Sequence, residues 1–507
     1  MANTVDAANR WPITVALMLA TVMTSLDTTI ANVALPHMAG SVSASQDQMT
    51  WVLTSYIIAA AIMTPLTGWL SLRIGRKLMF LVSIAGFTAA SMLCGVAQSL
   101  DQIVAYRLIQ GISGAALIPL SQAVVLDIFP PGQVGQVMAI WGAATMLGPI
   151  LGPLAGGWLT DNLSWRWVFF INLPVGLLAF AGVLAFMARD RGGEARRFDV
   201  LGFSALAIFI GALQLALDRG ETKDWLGSRE IWAETLIALG GLYVFLVHTA
   251  TTDHPFFDKA LARDRNFVTC SIFGFLIGIL LFSTMALMPP VMQGLMGYSV
   301  FGAGLVMMPR GLGTLAAMFI VGRLIGRVDT RLMLAGALAI SAMSIFMMTG
   351  FDLSMDASPF VITGLIQGFG MGFLFVPMSV TAFATLRPGV RAEGAAAFTL
   401  IRNIGSSVGI SMMQAFDTRE AAIAHADMAA RLQPGDPVAA AGFPAAMSPA
   451  TSAGLAAING EITRQASFLA LIDVFRLMLF LILAVTPLLL VMRAPKPALG
   501  PAEAPAE

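Results

Sequence analysis

Asp27 is a carboxylate within an otherwise apolar run, and it is the residue of this sequence best suited to bind and release a proton. It lies about 22 Å along a helix that begins near residue 12, at 1.5 Å per residue. An ionised carboxylate is costly at such a depth in an apolar medium, and burial favours the neutral form of a carboxyl group. Asp27 could therefore exchange a proton as its surroundings alternate between wet and dry. The alternative is a structural carboxylate beside Thr28 and Asn32.

Two other charged residues could take part in the same proton chemistry. Arg107 enters a later apolar run a few residues from one end, at a depth compatible with pairing to Asp27. Because a buried cation normally has a partner, we favour this pairing over extension of the side chain to the water interface. Glu393 lies at the mouth of another apolar run, where a solvated role and a proton relay fit equally well.

Arg310 and Arg402 lie near the middle of two apolar runs in the second half of the chain. Two unpaired cations there would be costly, so anionic or carbonyl groups must meet them. Backbone carbonyls at a kink caused by Pro309 are one interpretation. An acidic or weakly acidic ligand is the other, and it predicts a cavity that includes both arginines.

Small residues recur at helical spacing in the segment GPILGPLAGGWL. Gly148, Gly152 and Gly156 are four residues apart and form one face on which a neighbouring backbone can approach closely. Pro149 and Pro153 weaken the hydrogen bonds of the same helix and permit bending. Tight packing alone would explain the glycines, but the doubled Gly-Pro step favours a pivot.

The composition indicates that membrane-spanning helices hold these residues. Of 507 residues, 57% are hydrophobic and 11% are charged, against about 25% charged in a soluble domain. The mean hydropathy is +0.80. These values exclude a soluble enzyme and predict an all-α membrane protein.

Several other classes of function are also excluded. The 2 cysteines and 4 histidines offer neither a disulfide framework nor a metal site. The net charge of zero provides no field to attract nucleic acid. No GxxxxGK[ST] run is present to bind ATP phosphates, so energy must come from an ion gradient and no cofactor is expected.

Fourteen apolar runs are long enough to cross a membrane, which takes about 20 residues. They lie at about 12–35, 49–71, 78–98, 103–126, 136–159, 167–187, 200–217, 231–250, 267–290, 301–325, 332–350, 359–383, 394–416 and 469–492. Most of the 29 Lys and Arg residues fall on one side when the N-terminus is cytoplasmic, as the positive-inside rule requires. The even number of spans places both termini in the cytoplasm.

A repeated loop supports two halves. GWLSLRIGRK after the second span resembles GRLIGRVDTR after the tenth, about half a chain later, and repeated helical halves are common in secondary transporters. The fourteen spans then divide into six, an inserted pair and six.

The domains predicted from this division are an N-terminal six-helix bundle (1–190), an inserted helix pair with its linkers (191–262) and a C-terminal six-helix bundle (263–492). Residues 417–467 are rich in Ala, Pro and Gly and form a predicted external loop, either a platform for a partner or a mobile connector. Residues 493–507 are predicted to be a disordered cytoplasmic tail.

Five motifs, in order, make the chain resemble the fourteen-span drug:proton antiporters of the major facilitator superfamily, the EmrB/QacA group. They are LDTTIANVALP in the first span, the GWLSLRIGRK loop, RLIQGISGAALIP in the fourth span, the antiporter signature GPILGPLAGG in the fifth, and WRWVFFINLPVG before the sixth. LQLALDRG, MPRGLG and IRNIGSSVGI extend the likeness over nearly the whole chain. One departure is Leu72, where the loop motif of the family often has an Asp that makes a gating contact.

The resemblance implies the major facilitator fold, in which two six-helix bundles rock about a central cavity and export lipophilic small molecules in exchange for protons. It implies proton coupling by Asp27 and Arg107, and it associates Gln110, in the same motif as Arg107, with the substrate cavity. The residues implied in gating are Gly68, Arg73, Gly75, Arg76, Gly148, Pro149, Gly152, Pro153, Gly156 and Gly157.

The implied partners are the small-molecule substrate, protons and membrane lipid in a bacterial inner membrane, with a periplasmic adaptor and an outer-membrane channel if the cell has an outer membrane. Two rival functions stay open from the sequence. One is a dedicated exporter of a single metabolite, lipid or siderophore with the same fold. The other is a membrane sensor or scaffold that transports nothing.

Overall fold

The computed structural model describes residues 9–42, 44–189, 197–387, 390–431 and 451–492. These residues form an all-α structure, and within them the only extended pairing is an isolated bridge between Ile325 and Val328. The predicted fold class is confirmed. The tail beyond residue 492 lies outside the described residues.

The helices form an N-terminal bundle, an inserted pair and a C-terminal bundle. The N-terminal bundle comprises α1 (Arg10–Ser41), α2 (Gln46–Met63), α3 (Leu66–Ile74), α4 (Arg76–Val96), α5 (Leu100–Gly114), α6 (Leu117–Ile128), α7 (Pro131–Asn162), α8 (Trp167–Phe170) and α9 (Asn172–Phe186). The inserted pair is α10 (Val200–Arg219) and α11 (Arg229–Thr251). The C-terminal bundle comprises α12 (Lys259–Arg263), α13 (Arg265–Gly294), α14 (Val300–Leu324), α15 (Thr330–Met348), α16 (Ser358–Ala384), α17 (Arg391–Arg431) and α18 (Ser452–Val485).

Local chemistry explains where the helices begin and end. Ser45 and Gln48 form a reciprocal capping box at the start of α2, which satisfies two backbone donors that the first turn leaves free. Gly75 ends α3 with φ +88°, and Gly326 follows α14 with φ +84°. Only glycine adopts this backbone region without strain. Each copy of the repeated loop therefore contains one glycine in this backbone region.

The count of fourteen spans is not confirmed. Among the described residues, twelve helical segments are long and apolar enough to cross a membrane, and the bent pair α2–α3, with 58° between its parts, would be a thirteenth. The predicted span at 394–416 corresponds to α17, which is absent from this set. Arg402 and Asn403 lower the hydropathy of α17, although the helix packs between α13 and α18.

The predicted external loop at 417–467 is wrong at both ends. Helix α17 has 41 residues and continues to Arg431, which makes it about 60 Å long, against a hydrocarbon core of about 30 Å. Helix α18 already begins at Ser452. His425 and Asn459 approach to 3.1 Å across the two helices. We call 417–431 and 452–467 the outer hairpin; the residues between them lie outside the described ranges.

The two bundles meet mainly through α7 and α14, which run antiparallel. We call the end that carries Arg76 and Arg391 the arginine-rich end, and the opposite one the hairpin end. Gly135 packs against Ile325 at the arginine-rich end, and the contact continues as far as Ile150 and Gly311. Closer to the hairpin end, a Cβ added at Gly157 or Gly304 would meet no other atom within 4 Å. The bundles are therefore in close contact at the arginine-rich end.

Candidate functional site

Asp27 lies in α1 and is 1% exposed. Its Oδ2 accepts a hydrogen bond from Arg107 Nη1 at 2.5 Å. Its Oδ1 accepts hydrogen bonds from Gln110 Nε2 at 2.9 Å and Asn172 Nδ2 at 2.8 Å. Two further helices, α5 and α9, thus supply donors to the carboxylate oxygens. Thr28, a partner in the alternative interpretation, donates instead to the carbonyl of Ser25.

Arg107 is fully buried, so its side chain does not extend to a water interface. The guanidinium stacks over the ring of Tyr56, 4.4 Å from the centroid, and its Nε donates to the carbonyl of Val52 at 3.1 Å. Its Nη1 also donates to Gln110 Oε1 at 2.9 Å. A carboxylate, an aromatic face and an amide therefore stabilise this buried cation.

Asn172 and Tyr56 are parts of this network that sequence reasoning missed. Asn172 also donates to Ser91 Oγ, which in turn donates to the carbonyl of Phe169. Asn172 lies within the segment WRWVFFINLPVG, and a single amide in that apolar run was the available signal. We call Asp27, Arg107, Gln110 and Asn172 the carboxylate network.

The glycine face of α7 packs against the turns of α1 that carry Asp27. A Cβ at Gly148 would lie 2.5 Å from the Ser25 backbone, and one at Gly152 would overlap the side chain of Thr29. Ser25 Oγ donates to the carbonyl of Thr145, and Thr29 Oγ1 donates to that of Gly148. The close approach predicted at these glycines is present, and it couples α7 directly to α1.

The other residues of the predicted pivot in α7 differ in how closely they pack. Gly156 is buried, but Gly157 has open space where a Cβ would project. Gly157 therefore does not belong to the packed face. Helix α7 continues through Pro149 and Pro153, and the side chain of Pro153 is outside the described set.

The loop motif lies at the arginine-rich end, where the bundles meet. Arg76 Nη2 contacts Asp127 Oδ2 at 2.7 Å, and Arg391 Nη1 of the other bundle contacts Asp127 Oδ1 at 3.0 Å. Gly68 packs against the backbone of Glu393, and a Cβ at Gly68 would lie 3.0 Å from the Cα of Glu393. We call Arg76, Asp127 and Arg391 the arginine latch. Asp127 was missed because its partners come from two distant segments.

Glu393 and Arg73 take part in other contacts of this region. Glu393 Oε1 accepts a hydrogen bond from the backbone of Asp258 at 2.5 Å and lines a cavity of about 240 Å³ beside Trp69. The guanidinium of Arg73 lies 5.0 Å from the Trp69 ring. The prediction that placed Glu393 with Asp27 in proton coupling has no support in these contacts, which join Glu393 to the inter-bundle contact instead.

Arg310 and Arg402 lie in different surroundings of the C-terminal bundle. Arg310 is 7% exposed, and its Nη2 donates to the carbonyl of Leu281 at 3.2 Å. Arg402 is half-buried and lies 5.8 Å from the ring of Phe375, which stacks on Trp141 of α7. Arg402 therefore lies near the contact between the bundles, whereas Arg310 lies inside its own bundle.

The comparison with known sequences decides the family. Residues 17–410 match the Major Facilitator Superfamily. The chain belongs to the major facilitator superfamily. Members of this superfamily are transporters, so the expectation that the chain is not an enzyme agrees with its membership.

Curated relatives of this major facilitator extend over most of its length. It is 36% identical over 430 residues to the multidrug export protein EmrB of Escherichia coli K12, covering 84% of each chain. It is 34% identical over 429 residues to the fatty acid resistance protein FarB of Neisseria gonorrhoeae, again with 84% of each chain. The probable multidrug resistance protein EmrY of E. coli K12 is 31% identical over 97% of this chain and 96% of its own. The predicted resemblance to the EmrB group is confirmed.

Solved structures support the same fold. The human organic anion transporter MFSD10 superposes with a TM-score of 0.60 at 15% identity, over 93% of this chain and 99% of its own. The proton:xylose symporter XylE superposes with a TM-score of 0.56 at 14% identity, over 92% and 94% of the two chains. This major facilitator is thus a multi-pass membrane protein. Among the described residues, no group of three or more His, Cys, Asp or Glu could hold a metal ion.

Proposed function

We propose that the protein is a proton-coupled exporter of lipophilic small molecules that works by alternating access and accepts several drugs. The observation that carries the proposal is the carboxylate network: Asp27 and Arg107, both at most 1% exposed, form an ion pair in the centre of one bundle. Intramembrane ionisable pairs of this kind are characteristic of proton pathways. The names of the relatives EmrB and FarB, a multidrug exporter and a fatty acid resistance protein, support lipophilic substrates.

The carboxylate network can couple the binding of a proton to a conformational change. When a proton binds Asp27, the negative charge that stabilises Arg107 disappears. A buried guanidinium without a carboxylate is costly, so Arg107 must move or find another acceptor. Gln110 contacts both side chains and can follow either one. Protonation of Asp27 thereby changes the packing of α1 against α5.

Helix α7 would transmit this change to the other bundle. Its glycine face contacts α1 at Ser25 and Thr29, and Gly142 on the same helix contacts Met318 of α14. Because the α1–α7 contact leaves no room for a Cβ, a displacement of α1 must move α7. Rocking of two such bundles about the substrate site is how many secondary transporters alternate access.

The arginine latch would hold the bundles closed on the cytoplasmic side. Asp127 joins Arg76 of one bundle to Arg391 of the other, and these half-buried pairs can break and reform at modest cost. The cytoplasmic assignment of the arginine-rich end follows from the positive-inside rule, with both termini in the cytoplasm. The described conformation is then closed toward the cytoplasm, with Asp27 buried in its network.

The outer hairpin is a candidate platform for a periplasmic adaptor, which would connect the exporter to an outer-membrane channel in a bacterium that has one. Residues 417–431 and 452–467 extend as paired helices beyond the length needed to cross the membrane. The proposed domain division keeps residues 1–190, 191–262 and 263–492 as two bundles and an inserted pair in the inner membrane.

The experiment that tests the proposal uses proteoliposomes with an imposed pH gradient, a trapped pH indicator and a panel of dyes and drugs. We expect the wild type to move ethidium against protons, and Asp27→Asn to lose this coupling while eluting and melting as a folded protein. Transport of one compound alone would support a dedicated carrier. Absence of transport by the wild type under every gradient would support a sensor or scaffold.

A further inference from the structure

Both amide hydrogens of Asn172 are engaged, each by a different helix. Its Nδ2 donates to Asp27 Oδ1 of α1 at 2.8 Å and to Ser91 Oγ of α4 at 2.9 Å. The three residues are each at most 1% exposed, so bulk water does not reach these bonds. Because an amide nitrogen carries two hydrogens, Asn172 has none left to donate elsewhere.

Ser91 fixes the direction of this amide. Its hydroxyl donates to the carbonyl of Phe169 at 2.9 Å, and a carbonyl can only accept. A serine hydroxyl has a single hydrogen, so Ser91 Oγ can only accept from Asn172. If the amide of Asn172 turned over, its oxygen would face a hydroxyl oxygen that has no hydrogen to give. The nitrogen is therefore held toward Ser91, and with it toward Asp27.

The break between α8 and α9 places Asn172 at the start of a helix that packs closely on α4. Pro174, in the first turn of α9, has no N–H with which to continue the preceding helix. A Cβ at Gly176 would lie 2.2 Å from Thr88 Oγ1 of α4. These two residues lie one turn from Asn172 and from Ser91, respectively. The contact between Ser91 and Asn172 therefore leaves little room for either side chain to rearrange.

The other partners of Asp27 also donate to it. Arg107 carries only donors, and its Nη1 contacts both Asp27 Oδ2 and Gln110 Oε1. The oxygen of the Gln110 amide is thereby held toward Arg107, and its nitrogen donates to Asp27. All the hydrogen-bond partners of Asp27 in the described part of the chain are thus donors. A hydrogen on either oxygen of Asp27 would find no acceptor among them.

We propose that Ser91 and Asn172, which we call the amide pair, set the pH at which Asp27 binds its proton. A hydrogen bond donated to a carboxylate favours the ionised form over the acid. Because Ser91 prevents the amide from turning over, Asn172 cannot accept a hydrogen from the acid instead. The proposal rests on the proposed function and deepens it by adding two positioning residues to the proton site. Asn172 contacts Asp27, and Ser91 acts through Asn172.

The charged and titratable groups that face Asp27 lie on three other helices. They are Tyr56 of α2, Cys94 of α4 and Arg107 of α5. Helices α8 and α9 and the parts of α6 and α7 beside Asp27 carry no titratable side chain. None of the three groups forms a hydrogen bond with the amide pair. Variants of the amide pair therefore alter the surroundings of Asp27 without altering a neighbouring charge.

Infrared difference spectra of the full-length protein in proteoliposomes at stepped pH test the proposal. The readout is the carbonyl band of protonated Asp27, which is assigned by its loss in Asp27→Asn. Asn172→Leu keeps a similar volume and removes the donor. We expect its band to reach half of its full height at a pH about one to two units above the wild-type midpoint, the range of one hydrogen bond to a charged group. The pH midpoint of ethidium transport should shift in the same direction.

Ser91→Ala is the second variant, and it removes one oxygen from the amide pair without adding volume. Asn172 can then turn over and accept a hydrogen from protonated Asp27, so the midpoint should again lie at a higher pH. Because Ser91 acts through Asn172, the double variant should shift no further than Asn172→Leu alone. Thr88→Val, one turn away on α4, removes a hydroxyl outside the amide pair. As the matched control, it should keep the wild-type midpoint.

A wild-type midpoint in Ser91→Ala would overturn the proposal. So would single-variant shifts that add up in the double variant, because Ser91 would then act independently of Asn172. If Asn172→Leu does not fold, the comparison of Ser91→Ala with Thr88→Val decides alone, and equal midpoints in these two would refute the proposal.

These outcomes are separable from the proposed function. A wild type that moves no substrate under any pH gradient, but whose Asp27 band shifts in Ser91→Ala, would refute the exporter and retain the role of the amide pair. A wild type that exports ethidium against protons, with the same midpoint in Ser91→Ala and Asn172→Leu, would refute that role and retain the exporter.

Discussion

The centre of the N-terminal bundle and the arginine latch use the same pair of groups, a carboxylate and a guanidinium, in very different surroundings. The side chains of Asp27 and Arg107 are 1% and 0% exposed, whereas those of Asp127, Arg76 and Arg391 are 19%, 23% and 25% exposed. Water can replace a partner at the latch but not at the centre. The latch can therefore open by thermal motion, whereas the central pair needs a replacement for its charge, and a proton is the smallest available.

The largest loss of stability is expected when one member of the central pair, Asp27 or Arg107, is removed. Arg107→Ala leaves Asp27 as a buried charge without its counter-ion and should destabilise the fold by about 3–5 kcal/mol. Thermal unfolding in detergent measures this loss. The double variant Asp27→Asn with Arg107→Ala should recover part of it, because no uncompensated charge remains. Equal losses in the single and double variants would show that Arg107 stabilises through packing and not through charge.

A smaller loss of stability is expected when a side chain is added at the α1–α7 contact beside the central pair. Gly148→Ala adds a Cβ within 2.5 Å of the Ser25 backbone and 2.7 Å of the Leu26 nitrogen, so α1 must shift, at a cost of about 1–3 kcal/mol. Coupled transport should fall with it. Gly157→Ala on the same helix is the matched control, since nothing lies within 4 Å of its Cβ position, and it should gain some helix stability. Similar melting temperatures for the two variants would contradict a rigid α1–α7 contact.

At the latch, the expected change is a shift of population with little loss of stability. Asp127→Asn removes the charge that joins Arg76 to Arg391, which is worth on the order of 1 kcal/mol for half-buried pairs, or about fivefold in an equilibrium. Distances between spin labels across the arginine-rich end should show a larger open fraction. Arg391→Lys keeps the charge and should shift the distribution less. An unchanged distance distribution in Asp127→Asn would remove the latch from the mechanism.

Depth, together with the need of a buried cation for a partner, predicted the pairing of Asp27 with Arg107, and spacing predicted the glycine face at 148 and 152. The pairing was predictable because few charged residues lie within the apolar runs, and the glycine face because it depends on periodicity within one helix. Asp127 and Asn172 could not be predicted because their roles depend on which distant helices meet, which periodicity does not reveal.

The outer hairpin shows how average composition conceals structure. Residues 417–467 are rich in Ala, Pro and Gly as a whole, which favours a loop. Alanine dominates the segment up to Arg431, however, and alanine has the highest helix propensity. The prolines and glycines of 432–450 lie between the two helical segments. The composition of the two ends, taken separately from the middle, predicts that α17 and α18 extend beyond their membrane-spanning segments.

A third carboxylate–guanidinium pair is exposed to water, and we expect it to be the weakest of the three. Arg464 and Glu461 on the outer hairpin are 2.9 Å apart, with side chains 38% and 37% exposed. Water screens such a pair, and the two residues are neighbours on the surface of one helix, so no other element is needed to bring them together. A double-mutant cycle of Arg464→Gln and Glu461→Gln should therefore give a coupling of about 0.5 kcal/mol or less. A coupling as large as that of the central pair would mean that burial does not decide the strength of these pairs, and the contrast between the central pair and the latch would lose its physical basis.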